Sequence, residues 1–382
     1  MRKSLIVSQF FVSILLISGA YLVYQQIMFM KNYDLGIDME KIIVVQGPRI
    51  MDYNNLNSSY SAFKTYLTNH HSILSATGTG TIPGRGNMWG GNVWRSRDLK
   101  GESQTANVEQ VDSDFSKTFD LKFLAGGPFT KEMVRIGEEG PIIINESAVK
   151  TFDLESPEAA INEKLYIMIG DTVEFHIVGV VRDFHWHSLR DGHSANLYAL
   201  NNEYGAYFSI NMDFSNVQET IAHIKASYDI VYPGNPFDYF FLEEDFNRQY
   251  QSELQFGNLF SSFSLLALFI ACMGLFALVS FSATLKTKEI GVRKVLGASV
   301  VNLMLLLSRE YLTLVAVAAI LAIPVVVWGA GFWLDNYAYR IDVGWDLMVF
   351  PSLCLLIIAL FTVSYRTYIA ANSNPVDSLK SE

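Results

Sequence analysis

The chain has 382 residues, of which 50% are apolar and only 17% charged, with a mean hydropathy of +0.22. Soluble domains carry about a quarter charged residues, so this composition excludes an ordinary water-soluble protein and points to membrane spans joined to a folded polar domain. The net charge of −10 is unevenly spread: residues 31–258 hold 18 Lys and Arg against 31 Asp and Glu, an acidic block that excludes neutralising the phosphates of a nucleic acid.

The first element is an apolar run from Leu5 to about Tyr24 (LIVSQFFVSILLISGAYLVY), close to the ~20 residues that cross the hydrocarbon. Basic residues, an apolar core and Ser18-Gly19-Ala20 also fit a cleavable signal peptide. Apolar character continues through Tyr21, Leu22, Val23 and Tyr24, so an uncleaved anchor is expected. Either reading sends the following block to the same side.

That block, from Lys31 to Asn258, is about the size of one or two domains and reads as mixed α/β. Lys41–Gln46 (KIIVVQ) reads as a strand and Tyr60–Leu67 as a helix. Ile73–Thr79 reads as a short strand leading into the turn Pro83-Gly84-Arg85-Gly86. Thr105–Val111 alternates like a strand, Asp114–Phe119 is a helical turn, and Leu121–Ala125 precedes the break Gly126-Gly127-Pro128. Pro141–Asn145 is a strand followed by a short helix, Glu146–Phe152, and Glu174–Val181 (EFHIVGVV) is the strongest strand signal. Tyr207–Asn211, the amphipathic helix Val217–Tyr228 and the strand Phe237–Leu242 follow. Glu243–Phe256 has helical composition. Continuous to Leu285, it would form a rod of about 43 residues and about 65 Å; the alternative is two helices broken near Gly257.

Three more spans follow: Leu259–Leu285, about Tyr311 to Trp333, and Leu347 to about Tyr365. Pro324 predicts a kink in the third. Cys272 and Cys354 lie in apolar runs, giving neither a disulfide framework nor a metal spacing. Arg2 and Lys3 precede the first span, Lys286, Lys288, Arg293 and Lys294 fill the loop between the second and third, and Arg366 follows the fourth. The loop between the third and fourth sets Arg340 against Asp335, Asp342 and Asp346. Basic flanks mark the cytoplasmic side, so the acidic block lies outside. The expected fold is a membrane protein, an α-helical four-span bundle with an inserted α+β extracytoplasmic domain.

Catalytic signatures are missing. Gly80–Gly84 is followed by Arg85 and Gly86 rather than Lys and Ser or Thr, so there is no Walker A loop. There is no zincin helix, nucleophile elbow or dinucleotide fingerprint. Asp183, His185, His187 and His193 have metal-ligating chemistry, but such a cluster is more often a polar loop with a tryptophan, here Trp186, packed on a strand edge. The expectation is no catalytic residue, no cofactor and no metal. Charges are nearly absent from the spans, against a midplane ion relay, and Arg309 and Glu310 sit at the cytoplasmic edge, where they can snorkel. Energy for any active process then has to come from a partner.

Lys286–Ser299 (KTKEIGVRKVLGAS) places Lys286, Glu289 and Arg293 on one helical face, with Glu289 and Arg293 a favourable i,i+4 pair. Val292, Val295 and Leu296 fall on the other, and Gly297 can end the helix. Physics leaves two readings: a helix lying on the anionic inner leaflet, or one docking into a groove of a cytoplasmic partner.

The motif KEIGVRKVLGAS resembles the signature of the FtsX-like/MacB-like ABC transporter permeases, the type VII ABC superfamily. IVSQFFVSILLISGAYLVYQQ is similar to their first span. TGTIPG, VDSDFSKTFDLKFLAGGPFT, PIIINESAVKTF and IVGVVRDFHWHSLR resemble the MacB-like extracytoplasmic core domain, and NPVDSLK their C-terminal tail. The resemblance implies transmembrane helix 1 at 1–30, the core domain at 31–242, a stalk helix at 243–258 and transmembrane helix 2 at 259–285. A cytoplasmic coupling loop at 286–302, transmembrane helix 3 at 303–333, an outer loop at 334–346, transmembrane helix 4 at 347–369 and a cytoplasmic tail at 370–382 complete it. It also implies a non-catalytic permease subunit in the bacterial inner membrane, assembled as a homo- or heterodimer with a separate cytoplasmic ABC ATPase and with a periplasmic partner. ATP-driven closure would move the outer domain (mechanotransmission), for export, for lipoprotein or lipid extraction, or for control of a cell-wall hydrolase. The coupling helix would be Thr287–Gly297, with Lys288, Glu289, Ile290, Gly291, Arg293, Lys294, Leu296 and Gly297 at the contact.

Only Met1–Ser4 precede the first span, where many members carry an amphipathic helix. This start is similar to that of the second unit in related two-unit permeases, so a half-size member or a fragment is expected. The competing reading is a membrane-anchored extracytoplasmic ligand sensor without ATP coupling, which would not require the coupling loop. A membrane-anchored hydrolase is disfavoured by the missing nucleophile.

Overall fold

The computed structural model describes residues 2–50, 55–86, 89–130, 132–133, 139–169, 171–201, 205–285, 293, 296 and 299–372. After helix α1 (Arg2–Lys31) come β1 (Ile42–Gln46), α2 (Leu56–Thr68), β2 (Ile73–Thr79), β3 (Trp89–Trp94), β4 (Gln104–Val111), α3 (Phe115–Thr118) and β5 (Phe123–Gly126). Next are β6 (Glu139–Asn145), α4 (Glu146–Thr151), β7 (Lys164–Ile169), β8 (Asp171–Val181), β9 (Asn196–Leu200) and β10 (Tyr207–Met212). The chain continues through α5 (Val217–Val231), β11 (Tyr239–Phe241) and α6 (Leu242–Asn247), and closes with α7 (Gln251–Leu285), α8 (Val300–Leu334) and α9 (Asp346–Asn372). It divides into two compact units, residues 1–32 with 250–382, and residues 33–249.

In the first unit, α1, α7, α8 and α9 provide four helices long and apolar enough to cross a membrane. A helix meets all its backbone hydrogen bonds internally, which hydrocarbon demands. Ile6, Phe10 and Ile14 recur every four residues along one face of α1, as do Ala271, Leu275 and Val279 on α7 and Leu355, Ala359 and Val363 on α9. With Tyr311, Val315, Ala318 and Ala322 of α8 they form one buried cluster. Lipid does not drive such faces together as water would, so small residues that let backbones close matter more. A Cβ at Gly19 would lie 2.6 Å from the Phe260 ring, and one at Gly274 would lie 2.6 Å from Gln9 Oε1. Glycine at these places therefore sets how closely α1 and α7 approach.

At the C-terminal end of α1, the fully buried Gln26 holds the loop between α8 and α9. Its Nε2 donates to the Tyr339 carbonyl (2.9 Å) and its Oε1 accepts from the Ile341 N–H (3.0 Å). At the other end, Lys3 pairs with Glu310 at 2.6 Å. Helix α8 continues through Pro324. Neither expectation for the long rod holds in full. Helix α7 passes Gly257 unbroken, and the interruption comes earlier, as a 3-10 turn at Arg248–Tyr250. A mid-helix glycine costs ~1 kcal/mol in propensity. Here its missing side chain makes room for Val23, which stands 3.0 Å from where a Cβ would begin. The 35 residues of α7 extend about 52 Å.

In residues 33–249 the strands join as β11-β1-β10-β2-β4-β3-β7-β8-β6-β9, and β9 pairs back onto β4 in parallel. The last six strands of that order thus close into a barrel. Its interior is filled by alternate residues, among them Val108, Ile142, Ile144, Ile167, Phe175 and Leu197. Strands β11, β1, β10 and β2 form an antiparallel sheet. Helices α2 and α5 cover one of its faces, with Phe63 edge-on to Phe208, Tyr228 and Tyr232.

Among the described residues a single register pair, Thr79 with Val111, joins this sheet to the barrel. Asp112, next in sequence and wholly buried, closes the joint. Its carboxylate accepts from the Tyr60 hydroxyl, Lys64 Nζ (2.5 Å), Thr77 Oγ1 (2.5 Å), and the Gly78 and Asp114 N–H groups (3.0 Å each). Burial and the adjacent Asp112 charge hold the Tyr60 hydroxyl well above its ordinary pKa, so it stays a donor.

Candidate functional site

Two loops hold both the segment leading into residues 33–249 and the helix leading out. Gly36, at φ +78°, lies against Phe184 in a space where a Cβ would be 3.1 Å from that side chain. The His185 N–H donates to the Leu35 carbonyl at 2.9 Å. Next in sequence, Trp186 donates Nε1–H to the Gly86 carbonyl (3.0 Å), and its own carbonyl accepts from the Gly84 N–H (2.8 Å). Arg85 then reaches α6 with a two-pronged contact to Asp245, Nε to Oδ2 at 2.7 Å and Nη2 to Oδ1 at 2.8 Å. The guanidinium also lies 4.2 Å from the centre of the Phe240 ring. A planar fork matched to a carboxylate fixes orientation as well as distance. The path Leu35–His185–Trp186–Gly84–Arg85–Asp245 thus ties the incoming chain to the outgoing helix.

The same loop is anchored on its other side. Asp183 accepts from Asn145 Nδ2 (2.7 Å), the Ser147 N–H (2.9 Å) and Ser147 Oγ (2.7 Å). Asn145 Oδ1 caps α4 through the Ala148 N–H (3.0 Å) and also accepts from the Asn196 N–H (2.9 Å). The segments TGTIPG, PIIINESAV and VVRDFHW, far apart in sequence, therefore belong to one hydrogen-bonded assembly. The Asp183 carboxylate is committed to Asn145 and Ser147. The His185 and His193 rings lie 4.3 Å apart, tilted by 32° to each other, and among the described residues no group of His, Cys, Asp or Glu is placed to hold a metal ion.

Sequence reasoning missed Arg85 and Asp245. The glycine-rich turn was visible, but nothing local pairs it with a residue 160 positions later. Arg85→Ala and Asp245→Ala should each destabilise the fold by about 2 kcal/mol, since each removes the two-pronged contact, leaving Asp245 only the looser Arg248 at 3.7 Å or Arg85 only Tyr207 and the Phe240 ring. The double variant should lose little more than either single one, as read by thermal unfolding.

Burial, reinforced by His193 and opposed by Asp34, takes His185 from 6.5 down to about 4. Burial also lowers His187. His185 is thus neutral when folded, whereas the unfolded chain binds a proton as pH falls through 6.5. Its contribution is complete above that pH and drains away towards pH 4. Between pH 7 and pH 5 the fold should lose about 2 kcal/mol from this residue alone. A His185→Gln chain should show a flatter pH profile of tryptophan-detected unfolding.

Of the expected contact residues, the structure describes two. Arg293 is helical and half-buried, and Leu296 sits in a turn, 80% exposed. Lys288, Glu289, Ile290, Gly291, Lys294 and Gly297 lie outside the described residues.

Residues 261–375 match the family described as FtsX-like permease C-terminal. No curated protein matches the chain significantly. Among solved structures, the periplasmic region of MacB from Actinobacillus actinomycetemcomitans is similar at 15% identity and a TM-score of 0.38, covering 56% of this chain and 94% of that one. The extracellular domain of the noncanonic ABC-type transporter YknZ from Gram-positive bacteria is similar at 12% identity and a TM-score of 0.34, covering 52% and 97%. A domain of a putative permease protein from Porphyromonas gingivalis is similar at 12% identity and a TM-score of 0.34, covering 53% and 89%.

Proposed function

The chain carries an FtsX-like permease C-terminal domain over residues 261–375, and from that premise we propose that it is the non-catalytic transmembrane subunit of an ABC transporter. The observation that carries the reading is that this match encloses the basic loop 286–299 between α7 and α8. In this reading Thr287–Gly297 docks on a separate cytoplasmic ATPase. Ile290 and Leu296 supply apolar anchors, Gly291 and Gly297 allow close backbone approach, and Lys288, Glu289, Arg293 and Lys294 set the register through charge. Two permease units and two ATPases assemble in the bacterial inner membrane, with residues 33–249 outside.

Nucleotide-driven closure of the ATPases pulls on the loop, and α7 carries the displacement along the chain towards α6. There the Arg85–Asp245 fork passes it to the loops that also hold the incoming segment. The output is mechanical work on a compound, a lipoprotein or lipid, or a periplasmic partner. Purification of the full chain in mild detergent should recover a cytoplasmic ATP-hydrolysing subunit. The reading fails if none is recovered, or if residues 287–297 prove accessible from the same face of the membrane as residues 33–249.

A further inference from the structure

Three imidazoles meet where α2 turns into β2. The His70 ring lies 4.7 Å from that of His71 and 4.5 Å from that of His223 on α5, centre to centre, tilted by 24° and 33°. His223 ties the two helices together. A carbonyl can only accept, so the His223 Nε2–H donates to the Tyr66 carbonyl of α2 at 3.0 Å. His70 holds the turn itself. Its Nδ1 accepts from the Ser72 N–H at 3.3 Å, and the Ser72 carbonyl accepts from the Asp213 N–H, just past the end of β10, at 2.8 Å. A backbone N–H can only donate, so this bond exists only while Nδ1 carries no proton, which means a neutral His70.

Charging His70 puts the new hydrogen on Nδ1, where it meets the Ser72 N–H donor to donor. Ser72 is 2% exposed, and a donor left unpaired in such a place is costly. Burial first, then His223 and His71, hold the His70 ring below its ordinary 6.5, while Glu219 of α5 acts the other way. From β10, the Asp213 carboxylate is turned to the Ser215 N–H at 3.2 Å. A folded value below the unfolded one means that the closed turn is at full strength above pH 6.5 and weakens as pH falls below it.

We propose that the His70–His71–His223 cluster is an acid-opened latch, in which protonation of His70 breaks its bond to Ser72 and releases the α2–β2 turn from α5. The proposal is independent of ATPase coupling and of membrane topology.

The full chain in detergent is followed by hydrogen exchange at pH 7.5 and pH 5.0, corrected for the intrinsic exchange rate. Protection over residues 68–74 should fall at least threefold at pH 5.0, against a ceiling of about thirtyfold for a ring that titrates near 6.5 once released. His70→Asn sets an amide oxygen near the place of Nδ1 and takes no proton, so its chain should escape that fall. Losses of global stability, that of His185 included, are common to both chains, and the difference between them isolates His70. Two variants keep the His70 ring. His223→Gln, whose amide can still donate to Tyr66, should raise the pH at which protection is lost, and Glu219→Gln should lower it. These two decide alone if His70→Asn does not fold. Protection over 68–74 that is indifferent to pH, or that falls as far in His70→Asn as in wild type, overturns the latch. So does a pH of opening that neither α5 variant moves.

Discussion

A chain carrying Glu289→Lys together with Arg293→Glu should insert and fold normally yet lose the coupling of ATP hydrolysis to work. The exchange keeps an opposite-charge i,i+4 pair, and its reversed order costs the isolated helix only a few tenths of a kcal/mol. Towards a partner it inverts both charges. Like charges brought together at an interface cost several kcal/mol, and 3 kcal/mol already corresponds to a loss of more than a hundredfold in affinity. Arg293 is helical and half-buried in the chain by itself. The measurement is ATP hydrolysis by the cognate ATPase reconstituted with wild-type or variant chain. Undiminished stimulation by the variant would remove Glu289 and Arg293 from the contact.

The second large effect lies in residues 33–249. Asp112→Ala should destabilise that unit by about 4 kcal/mol. The carboxylate gathers five donors at zero exposure. Removing it leaves Lys64 with Asp114 at 2.6 Å but strips the buried hydroxyls of Tyr60 and Thr77 of their acceptor. For a unit of this size, 2–4 °C is lost per kcal/mol, so the unfolding midpoint should fall by about 10 °C. Asp112→Asn keeps the shape and part of the accepting capacity and should cost about half as much. Helical circular dichroism from α1 and α7–α9 should persist through the transition. A midpoint within 2 °C of wild type would show that the joint between sheet and barrel does not depend on this carboxylate.

What the sequence made legible follows from the range over which each signal acts. Span positions are written in runs of about 20 apolar residues, and strands such as Ile42–Gln46 and Asp171–Val181 announce themselves by β-branched content. Strand β3 does not: Gly90 and Gly91 sit in its middle, and only pairing with β4 and β7 makes it a strand. Strands β7 and β9 are short apolar runs beside polar loops, and closure of the barrel through β9 and β4 joins segments with no local mark of partnership. Gly257 shows a related effect: local propensity leaves room for a break there, and the helix nevertheless runs on with Val23 packed against the glycine. The Arg85–Asp245 fork was invisible for the same cause as barrel closure. The proposed contact loop is the reverse case: its motif is read from sequence, while most of its residues lie outside the described structure.

Closure of the barrel has a consequence for how copies of the chain meet. A polypeptide threaded through a membrane emerges beside identical copies of itself, and unpaired strand rims invite them to stick together. Here β4, β3, β7, β8, β6 and β9 each have a neighbour on both sides; one rim of the antiparallel sheet is β11, only three residues long, and along the other, β2, Thr79 pairs onward to Val111 of β4. Once folded, the closed barrel offers its siblings little to aggregate on.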